Sequence, residues 1–281
     1  MRKKKIITTG ITLACLLLPN ISFSETTNNG IDKYSRLYIS GQYKPGFSYF
    51  NKFSVRETDH YTKKLIGLKH DEISIDNLKN HSSFNIPYDN VTFQNNIISF
   101  SGAIGYSDST GARFELEGSY EEFDVTDPGD CIVKDIYRYF ALARATSSSI
   151  SNNPDTGKYT VMRNDGVSIT SVIFNGCYDL SLEDLEISPY VCIGIGGDFI
   201  EFFDALHIKL AYQGKLGISY SFSTRSSLFI DGYYHQVIGN QFNNLNVQHV
   251  VELSEAPKAT SAIATLNVSY FGGEVGIRLM F

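Results

Sequence analysis

After residue 24 the chain has no run near the ~18 consecutive apolar residues of a transmembrane helix, yet stretch after stretch alternates apolar and polar residues with period two. Such alternation gives a strand one apolar and one polar face. Leu37, Ile39 and Tyr43 oppose Arg36, Tyr38, Ser40, Gln42 and Lys44, and Ile98 to Tyr106 alternates in the same way. The cleanest case sets Ala112, Phe114, Leu116, Gly118 and Tyr120 against Arg113, Glu115, Glu117, Ser119 and Glu121. Further strands are expected over 167–180, 187–197, 208–222 and 228–235. The last carries Val275, Ile277, Leu279 and Phe281 on one face, with a β-bulge expected near Phe271-Gly272-Gly273. It ends on an aromatic residue, the form of strand that the barrel-assembly machinery of bacterial outer membranes recognises. Val275, Ile277, Leu279 and Phe281 are therefore read as a barrel-assembly signal.

Counted this way there are eight strands. Their connections alternate in length: short turns at 107–111, 181–186 and 223–227, and longer connections at 45–95, 122–166, 198–206 and after 236. The connection at 198–206 is the briefest of the longer set, and 136–143 is an apolar piece that could be a helix or part of the sheet. A soluble β-sandwich could contain any one of these strands but has no reason to gather its long loops at one end. An outer-membrane barrel does, with short periplasmic turns and long outer loops. The expected fold is all-β: an antiparallel transmembrane β-barrel of eight strands with long extracellular loops, surrounded by outer-membrane lipid.

The first residues read as an export signal. Arg2 to Lys5 are basic, Ile6 to Leu18 form a short apolar run, and Ser22 and Ser24 suit cleavage before Glu25. Acylation of Cys15 is the competing reading. Residues 1–24 are thus a signal peptide and 25–281 one outer-membrane unit. Removing four cations and no anions takes the net charge from −6 to −10, which argues against nucleic acid as a partner. Tyr (18) and Phe (19) are abundant. Tyr43, Tyr106, Tyr120, Tyr178, Tyr220 and Tyr234 fall near the ends of apolar faces, where interfacial girdles belong.

If the apolar faces meet lipid, the polar faces meet the lumen. That set holds Arg36, Lys44, Arg113, Lys209, Lys215 and Arg278 with Glu115, Glu117, Glu121, Asp179, Asp231 and Glu274, six of each sign. An eight-stranded barrel is just wide enough for side chains to fill it, so paired charges would plug it rather than select ions. Cys177 and Cys192 lie equally far from the middle of the 181–186 turn and share the lumen side. They form either a cross-strand disulfide or a pair of small residues in a crowded lumen. Cys131, beside Asp127-Pro128-Gly129-Asp130, is left as an intermolecular thiol that could link neighbouring molecules into a homo-oligomer.

Several stretches carry a resemblance: 175–180 (NGCYDL), 187–198 (ISPYVCIGIGGD), 211–217 (AYQGKLG), 231–235 (DGYYH) and 270–274 (YFGGE). On these the chain resembles the major surface antigen and outer-membrane protein family of Anaplasma and Ehrlichia type bacteria. The resemblance implies an immunodominant protein at the cell surface of the outer membrane, its long loops variable and open to host or antibody contact. Some members are regarded as porins passing small hydrophilic solutes, so a surface antigen and a channel both stand. No catalytic residue, cofactor or metal is expected. Gly194-Ile195-Gly196-Gly197-Asp198 lacks the third glycine and the helix of a dinucleotide loop. The six histidines show no metal-ligand spacing, and no Gly-x-Ser-x-Gly motif occurs.

Overall fold

The computed structural model describes residues 36–71, 74–146, 153–180 and 187–281. The expected leader and the 181–186 turn lie outside them. Eight antiparallel strands form the barrel: β1 (Arg36–Tyr43), β2 (Phe100–Ser107), β3 (Ala112–Phe123), β4 (Val167–Asp179), β5 (Ile187–Phe202), β6 (Ala205–Ser223), β7 (Ser226–Val237) and β8 (Ser269–Met280). Each pairs with its neighbour in sequence, and β8 closes on β1 with Tyr38 opposite Met280 and Tyr43 opposite Val275. Closure leaves no barrel edge unpaired.

The pleat sorts the residues as the alternation requires. Val275, Ile277, Leu279 and Phe281 are exposed on the outer wall, as are all six tyrosines of the expected girdles. Register places Tyr106 and Tyr178 next to the 107–111 turn, and Tyr43 and Tyr234 towards the opposite end. The wall is apolar and the interior is packed with polar side chains, the inverse of a soluble core.

Three expectations need correction. The connection at 198–206 is a two-residue turn: β5 and β6 run on as a paired hairpin to Phe202 and Ala205. Phe203 and Asp204 both take positive φ, 52° and 57°, as a hairpin turn matching the strand twist demands. Phe203 tolerates this because its ring is buried against Phe202 and Phe140. Strict alternation of short and long connections therefore fails at this point. Nor is there a bulge near Gly272: β7 and β8 stay in one register from Ser226–Leu279 to Gln236–Ser269. Gly272 instead lets the chain pass Pro45, whose carbonyl oxygen would lie 2.0 Å from any Cβ there. Two adjacent glycines blank out the alternation and imitate a phase change. The register shift is found between β6 and β7, at Ser221/Ser223.

The third correction is the largest. The segments read as long polar loops fold into a cap over one end of the barrel. One cap sheet orders Gln241–Leu245, Ala262–Asn267 and Asn51–Glu57; the other orders Phe84–Pro87, Lys64–Leu68, Tyr139–Ala143 and Tyr159–Arg163. The ambiguous 136–143 piece is a 3-10 turn leading into a strand that is buried from Phe140 to Ala143. Phe140, Leu142, Met162, Phe242 and Leu266 from the cap share one hydrophobic core with Phe123, Ile169, Ile200 and Phe202 at the barrel mouth. Burying side chains of this size is worth roughly 1.5–3 kcal/mol each, so cap and barrel end are packed as one body.

Candidate functional site

Below the apolar core the lumen is filled by ion pairs. Glu117 on β3 and Glu274 on β8 face Lys215 on β6 and Lys44 just after β1. Both lysines bridge both carboxylates: Lys44 at 2.6 and 3.1 Å, Lys215 at 2.7 and 2.8 Å. Asn175 and Gln213 donate their side-chain amides to Glu117 at 2.9 and 3.0 Å. Withdrawing charges from water costs several kcal/mol per ion unless every one has partners, and this lattice supplies them.

A second layer lies nearer the short turns. Arg113 forks onto Asp179, with Nε and Nη2 each 3.2 Å from a carboxylate oxygen, and its Nη1 reaches Glu115 at 2.8 Å. Tyr38 donates to the same Glu115 oxygen at 2.7 Å. The Arg278 guanidinium lies 5.1 Å from the ring centres of both Tyr38 and Phe229, while Tyr190 donates to Asp231. Cys177 and Cys192, directly opposed in register with Cα atoms 4.0 Å apart, are joined as a disulfide. Towards the cap, Glu121 accepts from Ser119, and buried His235 meets Asp198 at 2.8 Å while stacking on Tyr270.

Two members of the expected lumen set stand outside the charged layers. Arg36 is at the turn end, donating to the Thr224 carbonyl. Lys209 points inward above the charged layers, donating to the Gln241 carbonyl beside the Phe242 ring. The six-to-six balance is thereby lost, since Lys44, Arg113, Lys215 and Arg278 face seven carboxylates, the expected six and Asp198. Neutral donors make up the difference: Tyr38, Tyr190, Asn175, Gln213 and Ser119. All five stand on the polar phase of their strands, but attention to charge alone passes over them. Gly196, within the supposed phosphate-loop sequence, lies mid-strand, where a Cβ would meet the Val172 carbonyl oxygen at 2.0 Å. Between the plug residues is a cavity of about 10 Å³, room for about one water.

The cap holds its own buried ion pair. Arg144 Nε is 2.8 Å from Glu57, and its other nitrogens donate to the carbonyls of Glu255 and Pro257, both at 2.9 Å. Glu57 also accepts from Thr160 at 2.9 Å. At the cap surface Cys131 is a free, half-buried thiol. Burial raises its pKa, with Asp127 and Asp130 adding to the effect. The hydrogen bond from His70 holds the Asp130 carboxyl below its usual range.

A closed eight-stranded barrel with an apolar wall and a polar, side-chain-filled lumen defines an outer-membrane β-barrel protein. Residues 30–281 match the model of the family described as "Surface antigen", and the chain belongs to that family. It is 33% identical over 245 residues to major surface antigen 4 of Anaplasma marginale, covering 87% of this chain and 83% of that protein. Among solved structures, a major outer membrane protein of Thermus thermophilus is similar over 88% of this chain and 99% of its own, at 9% identity and a TM-score of 0.42. Neisserial surface protein A is similar over 88% and 97%, at 10% identity and a TM-score of 0.36. The protein is an outer-membrane surface antigen.

Proposed function

We propose that the barrel is a closed scaffold whose work is to present the folded cap to the outside, where contacts with a host surface or with antibodies would be made. The observation that carries this reading is the two-part seal, an ion-paired lattice beneath a continuous apolar core. The porin alternative requires a water-filled path, and a cavity of about 10 Å³ speaks against one. Surface-antigen membership supports a role without catalysis.

Conductance separates the two readings. The protein reconstituted in a planar bilayer is expected to give no stepwise channel openings; reproducible unitary steps that disappear with the protein would overturn the closed-scaffold reading. Orientation has its own check. Proteases added to intact cells should cut at exposed sites of the cap, chymotrypsin after Tyr61 (76% exposed) and trypsin after the exposed Lys134. Protection of both sites, with cutting at Arg225 in the short turn instead, would place the cap inside.

A further inference from the structure

Away from the plug, the cap brings His70 against Asp130 and Cys131, two adjacent residues that the sequence holds far from it. His70 follows the Lys64–Leu68 strand, while Asp130 and Cys131 belong to the loop that leads into the Ile136–Arg138 turn. A backbone bond from Ile132 N to the His70 carbonyl, 2.9 Å, pins the two segments side by side. One imidazole nitrogen, one carboxylate oxygen and the thiol sulfur then all lie within 4.8 Å of one another. We propose that His70, Asp130 and Cys131 form a binding site for a divalent transition metal of the zinc class.

The donor set selects the ion. Nitrogen and sulfur ligands suit zinc and its neighbours, whereas calcium and magnesium take oxygen. Zinc bonds of roughly 2.0–2.3 Å in a tetrahedron place ligand atoms about 3.3–3.6 Å apart. His70 Nδ1 and Asp130 Oδ1 are 2.6 Å apart, so they would open by somewhat under an ångström while the sulfur moves in. His70 and Cys131 are partly buried and Asp130 is exposed, which leaves an entry path from solvent. On binding, the thiol proton passes to water and a thiolate–metal bond forms, with no change of oxidation state. Two anionic ligands neutralise the ion, and Asp127, whose charge also acts on the thiol, favours a cation there. Three protein ligands leave the fourth position for water or for a group on another molecule.

In this setting Cys131 is a ligand rather than the intermolecular cross-link expected from sequence. The test uses the protein isolated from outer membranes in detergent, without added thiols. Zinc is titrated in competition with a chromophoric chelator, and cobalt is used as a spectroscopic probe. One zinc per chain is expected, with affinity at least tenfold weaker in Cys131→Ser and in His70→Ala. Cobalt should give a thiolate charge-transfer band that Cys131→Ser abolishes and Asp130→Asn weakens. Zinc should also protect Cys131 from alkylation. All variants should keep the heat-modifiable gel migration of a folded barrel. Absence of stoichiometric binding, or equal binding by Cys131→Ser, overturns the site. So does a Cys131-dependent covalent dimer that persists in zinc-loaded protein.

Discussion

Glu117→Gln is expected to lower the unfolding free energy by about 3–5 kcal/mol, the cost of breaking a buried ion pair from one side. Glu117 is 1% exposed and takes hydrogen bonds from Lys44, Lys215, Asn175 and Gln213. Gln keeps the shape but removes the charge, so two enclosed lysines share Glu274 alone. The measurement is urea unfolding in detergent micelles, followed by circular dichroism and gel migration. Pairing the change with Lys215→Met removes one charge of each sign and should recover much of the loss. A single variant as stable as the parent would mean that the lattice contributes packing rather than charge pairing.

Arg144→Leu should cost a similar 3–5 kcal/mol, as a rough estimate, but in the cap. Glu57 would keep only the Thr160 hydroxyl as a side-chain partner, and the carbonyls of Glu255 and Pro257 would lose their donor. The guanidinium joins the Asn51–Glu57 strand of one cap sheet to the end of the Tyr139–Ala143 strand of the other. Amide hydrogen exchange should therefore quicken across both cap sheets, while the barrel strands below the lattice keep their protection. Uniform loss of protection in cap and barrel would show that they unfold as one unit, against the localised effect expected here.

Much of the barrel was legible because a strand's faces are set locally. Arg113, Glu115 and Glu117 point inward, and Phe114 and Leu116 outward, for no reason beyond the pleat. The opposition of Cys177 and Cys192 follows from counting outward from one turn. The expected interior charges fall outside the charged layers only where strands outrun the plug, at Arg36 and Lys209, since alternation gives a side but not a height.

The cap was not legible. Tyr139–Ala143, enclosed on both faces beyond its first residue, is a continuous apolar run without a period, and Tyr159–Arg163, enclosed up to Arg163, mixes Thr160 among apolar residues in too short a span to show one. Such a run reads equally well as a piece of helix or of sheet. Nor does polarity reveal that Asn51–Glu57 pairs with Ala262–Asn267, far downstream in the chain. The sequence by itself determined the class of fold, the strand count and the two faces of each strand, because these are short-range consequences of backbone geometry. Only the tertiary structure decided that the ion pairs lie beneath an apolar core at the barrel mouth, that Arg144 meets Glu57, and that His70 meets Asp130. Those contacts join segments remote in the chain, and no local pattern encodes which remote surface a segment will meet.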